Sequence, residues 1–122
     1  MNQTMISPYI FPGIVTDDTK LLDIICNRFD ITIKQLLGAE RTQDLVKPRM
    51  WYAYILRTFL RKEYKQIGKL IGGRNHSTII YYMQQMDGFL EVSKEERKEF
   101  INFLSGINHK WSEKLTNKLN TK

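Results

Sequence analysis

Cysteine occurs once in the 122 residues, at Cys26, which excludes a disulfide framework and a cysteine-based metal cluster. Set among Leu22, Ile25 and Phe29, it reads as a small buried hydrophobe rather than a reactive thiol. Histidine occurs twice, at His76 and His109, far apart in the sequence, so no metal site is expected. Long apolar runs are missing too. Pro8, Pro12 and Gly13 interrupt the apolar stretch near the start, leaving no secretory signal and no membrane span, and a cytoplasmic protein is expected. An ATPase phosphate loop needs Gly, four residues, Gly-Lys and then Ser or Thr; Gly68-Lys69 is followed by Leu70, and no segment fits. His76 and Ser77 are adjacent, but at a helix start their side chains diverge, and no orienting acid accompanies them. Neither an enzymatic role nor a cofactor is expected.

What is present describes an ordinary globular protein, with 42% apolar and 26% charged residues and length for one core. The net charge of +6 is unevenly placed: residues 38–86 hold nine Lys/Arg against three Asp/Glu, a balance of +6, and the remainder sums to zero. Such a concentration suits a phosphate-bearing partner, and a solvated basic face is the plainer alternative. RNA binding has only this charge in its favour, since no exposed aromatic sheet or Gly-X-X-Gly clamp is evident.

Taken in order, residues 1–15 read as an irregular N-terminal arm, apolar at Met5, Ile6, Tyr9, Ile10 and Phe11. The arm either packs back on the domain, the favoured reading, or docks another protein. Thr16 is expected to cap a helix from Asp17 to Phe29 with Leu21, Leu22, Ile24, Ile25 and Phe29 inward. Thr32 opens a short helix through Leu37 that Gly38 ends as a left-handed cap, and residues 39–46 read as a loop. Pro48 suits the first turn of a long helix from about Lys47 to Lys62, apolar around much of its circumference. Arg57, Arg61 and Lys62 read as its solvated face. After Gly88, Ser93 and Glu96 form a capping box for a helix to about Ser105, which Gly106 stops. The basic tail, residues 108–122, places Trp111, Leu115 and Leu119 at four-residue spacing beside Lys110, Lys114 and Lys118, an amphipathic pattern for an extra helix.

The most informative stretch runs from Tyr64 to Met86. Tyr64 to Ile71 makes a short helix, Gly72-Gly73 allow a turn, and Ile79, Ile80, Met83 and Met86 hold a second helix to the domain, which together spell a helix-turn-helix. Gly68 inside the first helix costs roughly 1 kcal/mol against alanine, so a steric reason such as close approach of the following helix is expected. Arg74, Asn75, His76, Ser77 and Thr78 give the second helix a short, polar start suited to an anionic surface. One of Tyr81 and Tyr82 is expected in the core and the other free to donate to a phosphate.

Gly72 to Thr78 resembles the Gly-Gly-Arg-Asp-His-Thr-Thr signature of the C-terminal DNA-binding domain of the bacterial replication initiator DnaA, with Asn75 and Ser77 as departures. The resemblance includes Arg41, Lys47-Pro48-Arg49 and Tyr64 to Ile71, and covers roughly residues 19–105. It implies an all-α, Trp-repressor-like helix-turn-helix bundle of about six helices, with residues 16–107 as the DNA-binding domain and no ATPase motor. By resemblance, His76 and Ser77 contact thymine methyls and neighbouring base edges, and Arg41 reaches into the adjacent minor groove, where a narrow A·T tract attracts guanidinium. Asn75, if it points at a base as the family's aspartate does, can bond bidentately to N6 and N7 of adenine where aspartate would accept from cytosine. Lys47 and Arg49 resemble phosphate clamps, Lys65 and Lys69 are further candidates, and Arg74 and Thr78 read as phosphate or structural contacts, Thr78 equally as a helix-cap hydroxyl. Gln43, Asp44, Gln84 and Gln85 stand where the family is more basic, which implies lower affinity.

The function expected is sequence-specific binding of double-stranded DNA at DnaA-box-like sites, in replication initiation, its regulation or transcriptional regulation, by a monomer that is a complete gene product. The alternative is a protein-interaction module that keeps the fold and binds a replication protein without base reading.

Overall fold

A computed structural model of the chain describes residues 17–120, and the expected N-terminal arm and the Thr16 cap lie outside the described residues. The described residues form seven helices and no strand: α1 Asp18–Phe29, α2 Ile33–Leu37, α3 Gln43–Thr58, α4 Tyr64–Leu70, α5 His76–Val92, α6 Lys94–Ile107 and α7 His109–Asn120. The all-α class stands, with one helix more than the approximate count, since the amphipathic tail is helical. None of the described helices is long and apolar enough to cross a membrane. Two compact units are distinguished, one of residues 17–88 and one that includes residues 89–120.

In the first unit, α3 is the strut. Met50 to Leu56 are all buried, so the helix shows almost no polar face along its middle. It packs on α1, α2 and α4. Phe29 meets Trp51 edge-to-face with ring centroids 4.9 Å apart, and Arg28 and Lys47 lie 5.8 and 5.7 Å from the Trp51 ring. Burial, with the Asp23 charge second, pushes the Cys26 thiol up to about 11, which fits the buried hydrophobe expected.

Several boundaries differ from the sequence expectation. Asp17 caps α1, its carboxylate accepting from Thr19 N at 2.7 Å. Residues 39–46 are a loop only as far as Thr42, because α3 begins at Gln43; Pro48 therefore falls in its second turn, where its missing N–H leaves the carbonyl of Asp44, an exposed residue, without that partner. At its other end α3 stops at Thr58 rather than Lys62, with Arg61 left-handed at φ 57° and Lys62 N donating back to Leu56 O. Arg57 is tied into this reversal, donating to Lys62 O at 3.1 Å with its guanidinium 4.4 Å from the Tyr64 ring, rather than standing solvated.

In the second unit, α6 and α7 pack together through Phe100, Phe103, Leu104, Ile107, Trp111 and Leu115. Ser93 caps α6 by accepting from Glu96 N at 3.2 Å. Gly106 does not stop α6, which runs to Ile107. The break belongs to Asn108, 3% exposed, whose Oδ1 accepts from Lys110 N at 3.1 Å and opens α7.

Gly68 has the steric reason that the sequence demanded. A Cβ there would collide with the carbonyl oxygen of Arg74, because the turn after α4 folds back until Gly73 N and Arg74 N both donate to Gly68 O at 2.9 Å. At Gly88, inside α5, a Cβ would meet open space. Gly68→Ala is therefore expected to destabilise by about 2 kcal/mol through overpacking, and Gly88→Ala to stabilise by up to about 1 kcal/mol through helix propensity. Urea unfolding of the two variants beside the wild type checks both signs.

Candidate nucleic-acid interface

Two short helices, α2 and α4, end close to the turn that launches α5, and each end leaves carbonyls without an intrahelical partner. At α2, the left-handed glycine cap expected of Gly38 does not form; Gly38 is extended, at φ −78° and ψ 179°. Arginine does the capping instead. Arg49, 2% exposed on α3, donates from Nε to Leu36 O at 2.8 Å and from Nη2 to Gln35 O and Gly38 O at 3.0 Å each. Its Nη1 donates to Glu40 O at 2.6 Å. Four of its five N–H groups are thus turned inward.

This corrects the reading of Arg49 as a phosphate clamp: the side chain is spent on backbone carbonyls and has almost no surface to offer a ligand. Burial, and after it the nearby Arg74 charge, lower its pKa. A guanidinium titrates so high that it remains charged nonetheless. Arg74 is drawn into the same junction, donating from Nη1 to Ile71 O and from Nη2 to Gly38 O, both at 2.7 Å. Of its two expected roles the hydrogen bonds support the structural one. Gly38 O is therefore a shared acceptor for two arginines, one from α3 and one from the turn before α5.

The turn itself needs its glycines. Gly72 at φ +70° and Gly73 at φ +80° take the left-handed conformation, and a Cβ on Gly72 would overlap Leu37 O. The path delivers Asn75 to the head of α5. Asn75 Oδ1 accepts from Thr78 N at 3.1 Å, from Ser77 Oγ at 2.7 Å and from Thr78 Oγ1 at 3.2 Å, so Asn75 is the helix cap and the Thr78 hydroxyl is one of its donors. A backbone N–H needs an acceptor, which fixes the amide orientation: the oxygen faces the helix and the Nδ2 donors are left over. That corrects the bidentate contact with adenine, since the oxygen such a contact needs is already engaged.

His76 and Ser77 are exposed in the first turn of α5, and Thr78 is half-buried. Tyr81 and Tyr82 divide as expected, Tyr81 being 54% exposed and Tyr82 buried. Lys65 and Lys69 are exposed, four residues apart on α4, and Lys47 is half-buried beside Trp51. Arg41 is exposed in the loop between α2 and α3. It is three positions from Gly38, which puts it within about 11 Å of the arginine junction. Among the described residues no group of three or more His, Cys, Asp or Glu is placed to hold a metal ion.

From the sequence Asn75 is expected at a base and Thr78 is offered as the cap hydroxyl, although Asn immediately before a helix is a preferred capping residue and could have signalled the cap. The junction had only a fainter signal, an arginine bordering a long apolar run. Asn75→Ala is expected to lower stability by about 1 kcal/mol, and Asn75→Asp to match or exceed the wild type, since a carboxylate can accept the same bonds and favours a helix N-terminus. Thermal melts of both variants check the order.

Comparison with known proteins agrees with this geometry. The sequence model of the family described as bacterial dnaA protein helix-turn-helix matches residues 19–86, the span from α1 into α5. The chain is 32% identical over 87 residues to the chromosomal replication initiator protein DnaA of Borrelia hermsii, covering 71% of this chain and 18% of that protein. Against the protein of the same name from Borreliella burgdorferi the figures are 32% over 87 residues, 71% and 17%. Against that of Thermus thermophilus they are 29% over 79 residues, 65% and 18%. The chain thus spans less than a fifth of the length of these relatives, and the matched family segment contains the arginine junction, the glycine turn and the start of α5. By that match the chain belongs to the bacterial DnaA helix-turn-helix family.

Proposed function

We propose that the chain binds double-stranded DNA sequence-specifically, at sites resembling the DnaA box, in replication initiation, its regulation or transcriptional regulation. The observation that carries this reading is the head of α5: an exposed His76 and Ser77 on a helix whose own cap is satisfied by Asn75 and whose entry is fixed by Gly68 and Arg74. A helix start so arranged fits the major groove, where base edges display distinct patterns. Kinship with chromosomal replication initiators supports the same conclusion.

In this reading His76 and Ser77 meet thymine methyls and neighbouring edges, and Ser77 offers one methyl fewer than threonine would. Asn75 donates from Nδ2 to a single acceptor such as a purine N7, a contact that separates adenine from guanine poorly. Arg41 enters the neighbouring minor groove. Lys47, Lys65 and Lys69 meet phosphates, and the exposed Tyr81 hydroxyl donates to another. The chain acts as a monomer, in the cytoplasm, through binding rather than catalysis.

A protein-interaction role is the second reading. Its support is the neutral or acidic character of Gln43, Asp44, Gln84 and Gln85, together with Phe89 at 44% and Val92 at 84% exposure on the last turns of α5. The first reading is favoured because these apolar residues fall after residue 86, outside the segment that carries the family match.

Fluorescence anisotropy with a duplex carrying a DnaA box and with a scrambled duplex, at two salt concentrations, tests the proposal. Preference for the box is expected, weakening on both duplexes as salt rises. His76→Ala should lose about tenfold on the box, the loss of one good base contact, while Lys69→Ala should lower the log-log salt slope by about one unit. Equal binding to both duplexes, followed by a random-site selection that returns no motif, would overturn it.

A further inference from the structure

We infer that Arg49 and Arg74 are positioning residues that set where Arg41 stands relative to the head of α5, so that the minor-groove and major-groove contacts act as one unit. The inference rests on the DNA-binding reading above and deepens it.

The loop that carries Arg41 has little else to hold it. Residues 39–42 are all exposed, and none has a large apolar side chain to bury. Gly38 lacks the left-handed cap geometry that commonly locks a helix end, and Thr42, at the N-cap of α3, makes no side-chain cap bond. Guanidinium bonds take over on the α2 side of the loop. Arg49 grips Gly38 O at 3.0 Å and Glu40 O at 2.6 Å, the second being the carbonyl immediately before Arg41. Arg74 grips Gly38 O from the other side at 2.7 Å, and Arg74 is the residue immediately before Asn75, the cap of α5.

One carbonyl oxygen has two lone pairs, and Gly38 O gives both to arginines that belong to the two halves of the interface. Close backbone approach reinforces the same seam, since Leu37 O occupies the place where Gly72 would carry a Cβ. A groove-reading arginine on a loop tethered in this way need not be ordered at the moment of binding, and preorganisation of that kind appears as affinity. Lysine cannot substitute for either arginine, because a single ammonium lacks the planar fork that reaches two carbonyls at once.

The test is a double-mutant cycle on box-duplex affinity, read by anisotropy, with Arg41→Ala, Arg74→Lys and the combination, and with Lys69→Ala as the uncoupled comparison. Arg41→Ala should weaken binding about tenfold in the wild type but less than twofold in Arg74→Lys, whereas Lys69→Ala should cost the same in both backgrounds. Diaminopurine in place of adenine within the box adds an amino group to the minor groove alone; it should weaken the wild type and leave Arg74→Lys almost indifferent. The His76→Ala loss should persist in Arg74→Lys, which a general loss of structure would not allow. Arg49→Lys should repeat the pattern, with circular dichroism reporting that each variant is folded. Box preference with additive losses for Arg41 and Arg74 would overturn this inference and leave the DNA-binding reading standing. A wild type with no box preference, or one unmoved by Arg41→Ala, would remove the contact being positioned, and the inference with it.

Discussion

The capping of helix C-termini by arginine is the interaction on which the rest of the first unit depends. A five-residue helix such as α2 can satisfy few of its own carbonyls, and a buried carbonyl without a donor costs about as much as a lost hydrogen bond. Arg49 answers this with one planar group that reaches Gln35, Leu36, Gly38 and Glu40 together. The charge is well placed, since carbonyls at a helix end carry partial negative charge. Burying it is costly, and the lowered pKa of Arg49 reflects that. Four charge-assisted bonds offset the cost, and geometry is what the fold gains: with the second arginine, α2, α3, α4 and the start of α5 share one junction.

That arrangement divides the positive charge of residues 38–86 into two kinds. Arg49 and Arg74 have guanidinium groups committed to carbonyls, and Arg57 to a carbonyl and an aromatic face. Arg41, Lys65 and Lys69 are exposed. The formal charge of the segment therefore overstates what it presents to an anionic partner. Arg49 and Arg74 each bridge several carbonyls with one planar fork, a geometry that lysine lacks, whereas a phosphate contact on α4 would accept either.

Asn75 illustrates how a departure from a family signature changes chemistry without changing structure. Asparagine and aspartate both cap a helix, so the fold is indifferent to the exchange. What the cap presents to solvent does change. A carboxylate would have a second oxygen left over, whereas the amide keeps its only oxygen on the cap and turns donors outward. Ser77 for threonine works the same way, removing a methyl from the exposed turn while the hydroxyl bond to Asn75 remains.

Local pattern determined much of this protein. The apolar periodicities of α1, α3 and the tail, the Thr32 and Ser93 caps, the Gly72-Gly73 turn and the polar head of α5 were readable because each depends on residues within a few positions of one another. The steric demand at Gly68 was readable as a penalty needing a cause. What the sequence by itself could not supply was partnership at a distance. Arg49 and Gly38 are eleven positions apart, and Arg74 and Gly38 thirty-six, so no periodicity links them. Lacking that link, Arg49 looked like a surface cation, Gly38 like a left-handed cap, and Gly106 like a helix stop where Asn108 makes the break. An arginine beside phosphate and an arginine beside carbonyls are the same residue in a sequence; only the tertiary structure, by bringing helix ends to one place, decided which oxygen atoms each would meet.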